Sequence, residues 1–459
     1  MTDPRSVKTV EDAKRIVEER GLEHVKVGLF DIDGIMRGKY MSREKFFSAL
    51  ENGFAFCDVV LGWDSNDQLY ENPGVEFTGW QTGYPDAPVR VLPDSCRSVP
   101  FEDDMLLFLC DFTGTAAAIC PRNLLARILD KAAGMGLDAY AAFEYEFFLF
   151  NETPDSIRAK GYRDLTPITP GFFGYSMLRN STHSDLYKEI LDLAQVMDFP
   201  IESLHTETGP GVLEAAITVD SAAAAADKAA LFKTFIKVWA QRRDMMATFM
   251  AKWSNDYPGQ SGHIHMSLRN RRDGGSAFYD ASQPMGMSKL QRHFLAGQQR
   301  LMPQLLVMYA QTVNAYSRMV PGFWAPTDAT WGCENRTTAL RLIPGSEKSQ
   351  RLEFRLGSAD ANPYIALAAA LASGLYGIEN ELEPTAMVTG NAYAQAHPPE
   401  LKLPNNIGDA AAILRDSAAA RSLFGDAFVE HYATTREWEG REYHKHVSDW
   451  ELQRYFEII

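Results

Sequence analysis

The chain has 459 residues, with 60 acidic against 45 basic side chains, a formal net charge of −15 and an isoelectric point near 5.2. A nucleic-acid surface needs a basic stripe to neutralise phosphates, so this balance argues against a nucleic-acid partner. The longest apolar run, residues 365–378, is too short to cross a bilayer, and the charged N-terminal stretch predicts no secretory signal. We therefore expect a cytoplasmic protein without a membrane partner.

The first 115 residues show the pattern of a small α+β unit. An amphipathic helix precedes alternating strands, and Asp33-Gly34 is typical of a hairpin turn between two of them. The predicted elements are a helix over Val7–Arg20 and strands over Val25–Ile32, Ile35–Tyr40, Arg90–Pro93 and Met105–Phe112. The composition allows a second, larger domain, and we place it at residues 116–459.

The second region alternates helices with strands that carry polar side chains on one face. Proline in the first turn marks the start of two of these helices. The predicted helical segments are Pro121–Gly134, Ser221–Arg243, Ser288–Tyr316, Pro363–Leu382, Asp409–Gly425 and Ser448–Ile459. The two regions together therefore contain both helices and strands.

Three apolar segments place charged or metal-binding side chains at alternate positions. Because a strand has a side-chain period of two, each set points to one face. The sets are Glu144 with Glu146, then His263 with His265 and Ser267, and finally Arg351 with Glu353 and Arg355. Carboxylates among aromatic residues are costly to bury unless a cation meets them. Glutamates, histidine and arginines converging from several strands suggest divalent metals that hold a polyphosphate, so we expect an enzyme that consumes ATP.

A fourth segment adds two carboxylates to this group. Gly209-Pro210-Gly211 predicts a tight turn between two extended pieces, and this turn would let Glu207 and Glu214 face the same cavity. Five glutamates and one histidine form a mostly oxygen ligand set. Such a set favours Mg²⁺ or Mn²⁺ over zinc or copper.

The order of these segments resembles the glutamine synthetase superfamily. The resemblance also rests on four ordered motifs, one of which is the arginine segment given above. They are Arg318-Met319-Val320-Pro321-Gly322, then Asn335-Arg336 with Arg341, then Arg351-Leu352-Glu353-Phe354-Arg355, and finally Ala361-Asn362-Pro363-Tyr364. The similarity extends over nearly the whole chain, from Asp31 to Leu452.

The resemblance implies a fold and a reaction. The fold would be α+β, with an N-terminal β-grasp domain and a catalytic domain that has a curved antiparallel sheet and helices. Subunits would form rings, usually stacked as a dodecamer, with active sites shared between neighbours. ATP would phosphorylate the γ-carboxylate of L-glutamate, and an amine would attack the acyl phosphate. Metals and arginines suit this chemistry because phosphoryl transfer needs its developing charge neutralised.

The resemblance also assigns roles to individual residues, with two or three metal ions in each site. By this resemblance, the first metal would be held by Glu146, Glu207 and Glu214, and the second by Glu144, His263 and Glu353. Glutamate would be bound by Arg318 and Arg355, with Gly259 at its amino group. The transferring phosphoryl group would meet Arg336, the ATP phosphates would meet Arg341 and Arg351, and the nucleotide would lie against His265 and Ser267. A guanidinium fork suits a carboxylate or a phosphate in each arginine role.

Trp324 is the main departure from glutamine synthetases. These enzymes usually carry a glutamate at this position, which covers the site and helps to bind and deprotonate ammonium. An indole does neither, but it packs against an alkyl or aryl group and offers a cation–π face to a substituted ammonium. The departure predicts a small organic amine as acceptor. The competing interpretation is a packing variant in an enzyme that still uses ammonia.

Two further assignments carry alternatives. Asp64, in Gly62-Trp63-Asp64-Ser65, would be the amine-site acid supplied by a neighbouring subunit, or else an ordinary turn aspartate.

The function is predicted as a γ-glutamyl-amine ligase of amine catabolism. A glutamine synthetase, a γ-glutamylpolyamine synthetase and a non-catalytic relative are the alternatives. A non-catalytic relative would be expected to lose metal ligands, whereas all six are present in this sequence.

Overall fold

The computed structural model describes residues 2–71 and 77–459, and its strands form an N-terminal and a central sheet. The N-terminal elements are α1 (Val10–Glu19), β1 (His24–Phe30), β2 (Met36–Ser42), α2 (Arg43–Asn52), β3 (Phe54–Cys57), β4 (Asp86–Val91), β5 (Arg97–Ser98) and β6 (Leu106–Phe112). Their strand order is β2-β1-β6-β4-β3, with β5 beside β6. The predicted hairpin is confirmed, since β1 and β2 pair antiparallel from Phe30–Met36 to His24–Ser42.

The central sheet carries the polar strands. Its members are β7 (Leu137–Phe150), β8 (Ile201–Thr206), β9 (Val212–Ile217), β10 (Asp220–Ser221), β11 (Met246–Thr248), β12 (Gly262–Asn270), β13 (Trp331–Cys333), β14 (Leu340–Ile343) and β15 (Arg351–Phe354). The order is β13-β14-β15-β12-β7-β9-β8, and β10 and β11 also pair with β7. All of these pairs are antiparallel except β13 with β14.

The long strand β7 shows why the sheet has one apolar and one polar face. Phe143, Tyr145 and Phe147 are buried, whereas Glu144 and Glu146 alternate with them and point to the other side. The buried face packs against helices, and the opposite face is left for the functional site.

Helices follow and separate the strands of the central sheet, and some of them pack against its apolar face. They are α3 (Pro121–Gly134), α4 (Pro154–Ala159), α5 (Met177–Thr182), α6 (Ser184–Val196), α7 (Ala222–Arg242), α8 (Lys289–Leu305), α9 (Val313–Arg318), α10 (Pro363–Glu379), α11 (Ile407–Asp416), α12 (Ala418–Phe424), α13 (Asp426–His444) and α14 (Asp449–Tyr455). The α10 helix is buried over almost its whole length and packs against α3, α7 and α8. Among the described residues, no helix has the length and hydropathy that a bilayer span requires.

Two predicted helical segments are divided. The segment over Ser288–Tyr316 forms α8 and α9, because α8 ends two residues after Pro303 and Thr312 caps α9 by accepting the Ala315 N–H. The segment over Asp409–Gly425 divides at Ser417 in the same way. The turn between β1 and β2 contacts helix α13, since Arg436 pairs with Asp33 at 2.7 Å.

Candidate active site

A cavity of about 640 Å³ lies over the polar face of the central sheet. Most of the predicted site residues line it. They are Glu144, Glu146, Glu207, Glu214, Gly259, His263, His265, Arg318, Trp324, Arg336, Arg341, Arg351, Glu353 and Arg355. The structure therefore brings together in one place residues that are up to 211 positions apart in the sequence, from Glu144 to Arg355.

Strand register explains how these side chains meet. His263 on β12 lies opposite Glu144 on β7, and Glu146 lies opposite Glu214 on β9. One step along, Glu353 on β15 faces His265. Opposed residues on one face of a sheet have Cβ atoms about 4.5–5.5 Å apart, so each pair places its polar ends within reach of one ion.

One group of metal-binding side chains contains two of the three residues predicted for the first metal. Ligand atoms of His205, Glu207 and Glu214 all lie within 4.8 Å of one another. Glu146, the third predicted ligand, accepts the Ser261 backbone N–H at 2.6 Å. His205 replaces it in the trio, and its Nε2 is 3.1 Å from Glu214. His205 is a site residue that sequence reasoning did not assign, although it alternates with Glu207 on β8.

The second group is built around Glu353. Ligand atoms of Glu144, His265 and Glu353 lie within 4.8 Å of one another. The predicted ligand His263 is beside them, with Nδ1 3.6 Å from Glu144 and 3.4 Å from Glu353. Both ring nitrogens of His263 are buried and have no hydrogen-bond partner among the described residues.

The protonation states of this group suit a cation. Burial, followed by the charge of Arg355, lowers the pKa of His263 to about 4, so its imidazole is neutral and keeps a free lone pair. Burial raises the pKa of Glu353, but Arg355 and the neighbouring histidines His263 and His265 together outweigh that effect, and the pKa falls to about 2. A neutral buried imidazole without a partner, next to ionised carboxylates, fits a divalent metal.

The first group is crowded with negative charge. Burial raises the pKa of Glu214 to about 8, and the carboxylates of Glu144, Glu146 and Glu207 add to the rise. Burial also raises the pKa of Glu146. Carboxylates that repel one another this strongly are the arrangement that a bound cation relieves. The oxygen-rich set fits Mg²⁺ or Mn²⁺.

Arginines also line the cavity, and two of them contact Glu353. Arg355 donates to Glu353 at 2.5 Å, and Arg341 donates to the other oxygen of the same carboxylate at 2.9 Å. Arg341 also pairs with Glu334, a residue not assigned from the sequence, whose φ of +50° is unusual for a side-chain-bearing residue. Arg318 donates to the Leu356 carbonyl at 3.1 Å. Hydrogen bonds within the chain therefore orient these guanidinium groups.

Ser267 lies outside this cavity but lines a neighbouring one of about 650 Å³. The two cavities share a wall that contains Glu144, His265 and Arg351. Ser267 follows His265 by two residues on β12 and points to the same face. The predicted nucleotide residues thus continue from the first cavity into the second.

Asp64 is not brought to the cavity within one chain. It is buried in the N-terminal region, where Oδ1 accepts the backbone N–H groups of Asn66 and Gln68 at 2.8 and 2.9 Å. Its Oδ2 accepts the Trp438 indole N–H at 3.1 Å. These contacts are those of an ordinary turn aspartate. A role of Asp64 in catalysis would require that it reach the cavity of a second copy of the chain.

Aromatic side chains also line the cavity. Trp324 is 55% exposed and has a φ of +59°. Tyr175 also lines the cavity; its ring stacks on His205 with centroids 4.3 Å apart. Sequence reasoning missed Tyr175 because it lies in a loop without a periodic pattern. Its left-handed φ of +54° is set by the folded loop.

Comparison with known proteins agrees with this geometry. Residues 118–455 match the family described as glutamine synthetase, catalytic domain. The chain belongs to the glutamine synthetase family. The superfamily predicted from the ordered motifs is confirmed, and so is the class of enzyme, a glutamate–amine ligase that forms C–N bonds.

The relatives in this family include proteins named as glutamine synthetases and proteins named as ligases of glutamate with an organic amine. The chain is 43% identical to type-1 glutamine synthetase 2 of Dictyostelium discoideum over 440 residues, which are 95% of this chain and 84% of that protein. It is 38% identical to a glutamate–isopropylamine ligase of Pseudomonas sp over 460 residues, covering 98% of this chain and 99% of the relative. A solved structure of GmaS with ADP superposes with a TM-score of 0.84 at 25% identity, covering 97% and 99% of the two chains. The predicted α+β fold is confirmed.

Gly259 offers a test of how the site is packed. A Cβ atom at this position would lie 2.6 Å from both the Arg318 Cγ and the Ala251 carbonyl oxygen. We expect Gly259→Ala to displace Arg318 and raise KM for glutamate about tenfold or more, by analogy with overpacking costs of about 1–3 kcal/mol. Steady-state kinetics measure this.

The control is Gly134→Ala at the end of α3, where an added Cβ meets nothing within 4 Å. We expect this variant to keep the wild-type KM. An unchanged KM in Gly259→Ala as well would contradict a glutamate site beside Arg318.

Proposed function

We propose that the protein is an ATP-dependent ligase that joins the γ-carboxylate of L-glutamate to a small primary organic amine, with alkyl and aryl amines as the acceptor class. The reaction would serve amine catabolism in the cytoplasm. Trp324 in the cavity wall carries the proposal, because it stands where glutamine synthetases usually have an ammonium-binding glutamate. The likeness to a glutamate–isopropylamine ligase over the full length supports it.

The shared wall of the two cavities suggests the arrangement of substrates. The nucleotide would occupy the cavity lined by His265 and Ser267, with its phosphates near Arg341 and Arg351. Glutamate would lie in the first cavity, where its carboxylate groups would meet the buried forks of Arg318 and Arg355. The γ-carboxylate and the γ-phosphate would then meet where the cavities join.

The chemistry has two steps. A γ-carboxylate oxygen attacks the γ-phosphorus of ATP and ADP leaves, with Arg336 stabilising the transferring phosphoryl group. The amine nitrogen then attacks the acyl carbon, inorganic phosphate leaves, and the nitrogen loses a proton. Divalent metals, when bound, neutralise phosphate and carboxylate charge. Glu146, Glu207, Glu214 and His205 would hold one, and Glu144, His263, His265 and Glu353 the other.

The acid that receives the amine proton is assigned to Asp64 of a neighbouring subunit. This assignment depends on a homo-oligomeric ring with shared active sites, and a dodecamer is the form that the family resemblance predicts. In one chain, Asp64 is held by Asn66, Gln68 and Trp438. Ring formation and the role of Asp64 are therefore one linked prediction.

Two other acceptors are the alternatives. Ammonia is favoured by the 43% identity to type-1 glutamine synthetase 2. A polyamine would need a spare carboxylate for its second ammonium group. The carboxylates that line the first cavity, among the residues the structure describes, all lie in the two proposed metal groups. A compact apolar substituent is therefore the better fit to Trp324.

Trp324→Glu tests the acceptor assignment. We expect the ratio of kcat/KM for the preferred organic amine to kcat/KM for ammonia to fall about 10- to 100-fold, because the indole contributes about 1.5–3 kcal/mol of apolar and cation–π contact. Trp324→Phe, which keeps a ring, should retain most of the preference. Phosphate release at varied acceptor concentration measures the ratio.

Trp80→Glu is the matched control, since Trp80 is exposed and is not among the residues that line the cavity. It should leave the ratio unchanged. If Trp324→Glu also leaves the ratio unchanged, Trp324 does not contact the acceptor, and the ammonia alternative gains.

A further inference from the structure

The acceptor loop, residues 319–325, carries Trp324. Arg318 precedes it at the end of α9 and Ala325 closes it, and both are buried, while Phe323 and Trp324 between them are exposed. Within the loop, the Phe323 N–H donates to the Val320 carbonyl at 3.2 Å. These contacts define the turn but leave open what fixes its two aromatic rings relative to the cavity.

Lys252 lies directly against the acceptor loop. Its ammonium nitrogen is 4.6 Å from the centre of the Phe323 ring and donates to the Tyr257 carbonyl at 2.7 Å. Lys252 is only 8% exposed. An ammonium group at this distance is attracted by the electrons of the ring, and more strongly where water is excluded.

The position of Lys252 is fixed by the body of the protein. Its backbone N–H donates to the Asn314 side-chain oxygen at 2.7 Å, and its carbonyl accepts from the Asn314 amide at 2.8 Å. Asn314 belongs to α9, the helix that ends at Arg318. The same helix therefore holds both the start of the acceptor loop and the lysine that contacts its ring.

The ion pairs of the described residues do not include Lys252. In residues 2–71 and 77–459, no Asp or Glu forms an ion pair with it. Burial lowers its pKa, which agrees with an ammonium group stripped of water. Beside the Tyr257 carbonyl, the Phe323 ring is therefore an electrostatic partner of this cation.

We propose that Lys252 is a positioning residue for the acceptor. Its ammonium holds the Phe323 ring and, through the adjacent peptide, sets where Trp324 stands over the cavity. The inference deepens the proposed function, since it rests on Trp324 contacting the acceptor. It predicts that Lys252 affects the affinity for the acceptor and not the affinities for ATP and glutamate, because Arg318, although it ends α9, is held by the carbonyl groups of Leu356 and Arg355.

The test compares Phe323→Leu and Lys252→Met, singly and together, with KM measured for acceptor, glutamate and ATP. The acceptor is whichever one the wild-type enzyme uses best, ammonia included. Each single change should raise the acceptor KM about fivefold to twentyfold, within the range of a desolvated cation–π contact, and leave the other two KM values within twofold. The double variant should be little worse than either single variant, because both remove the same contact.

Conservative variants complete the design. Lys252→Arg and Phe323→Tyr keep a cation and a ring, and both should retain the acceptor KM within about threefold. If Lys252→Met fails to fold, the test rests on comparing the acceptor KM of Phe323→Leu with that of Phe323→Tyr. An unchanged acceptor KM, or an equal rise in all three KM values, would overturn the inference. Wild-type acceptor preference tests the proposed function separately.

Discussion

Replacing Glu353 with glutamine is expected to reduce kcat by on the order of a thousandfold. Glu353 is 1% exposed, and its two oxygens accept from Arg355 at 2.5 Å and Arg341 at 2.9 Å. Nδ1 of His263 is 3.4 Å away. The amide would remove a proposed metal ligand and leave buried guanidinium groups without their counter-charge. Isothermal titration with Mn²⁺ should show one fewer metal bound per subunit, alongside the kinetic loss.

Stability must be measured in the same variant, because breaking a buried ion pair costs about 3–5 kcal/mol. Glu347→Gln is the control; Glu347 is exposed in the connection between β14 and β15. A folded Glu353→Gln protein with full activity and unchanged Mn²⁺ stoichiometry would remove Glu353 from the metal site.

Arg318→Lys is expected to raise KM for glutamate by about 100-fold while leaving KM for ATP nearly unchanged. Burial lowers the pKa of Arg318 to about 10, so the guanidinium remains charged at neutral pH. Its nitrogens donate to the carbonyls of Leu356 and Arg355 at 3.1 and 3.2 Å, which aims the group at the cavity. Lysine keeps the charge but loses the planar fork, and a charge-assisted forked contact is worth about 1.5–3 kcal/mol.

Arg272→Met provides the matched control, because the Arg272 side chain is 92% exposed on a surface turn. It should leave both KM values at the wild-type level. Equal rises in the KM values for glutamate and ATP in Arg318→Lys would point to a general distortion of the cavity and not to a glutamate contact.

The polar strands were predictable because a strand has a period of two. Glu144 with Glu146 and Glu353 with its two arginines needed only local sequence to be placed on one face, and the structure has them there. Register is not local. The alignment of β7, β8, β9, β12 and β15 decides which glutamate lies beside which histidine. For this reason His205, and not the predicted Glu146, completes the group with Glu207 and Glu214.

Other features had only weak signals in a single sequence. Tyr175 and Trp324 hold left-handed backbone angles that the folded loops impose. Helix α13 was missed although ten of its residues are buried, because its charged residues mask the apolar pattern. The division between α8 and α9 depends on a proline and a capping threonine inside one continuous apolar segment. The local sequence therefore predicted which side chains face the site, whereas the packing of the whole chain determines which of them lie together.

The most direct measurement is phosphate release from ATP and glutamate with Mg²⁺ across a panel of acceptors, with products identified by mass spectrometry. The panel would contain ammonia, methylamine, isopropylamine, ethanolamine, aniline and putrescine. We predict that kcat/KM for one small organic amine exceeds that for ammonia by at least about tenfold, the factor that corresponds to 1.4 kcal/mol of contact with the substituent. A kcat/KM that is highest for ammonia would contradict the account and make the protein a glutamine synthetase in which Trp324 serves only packing.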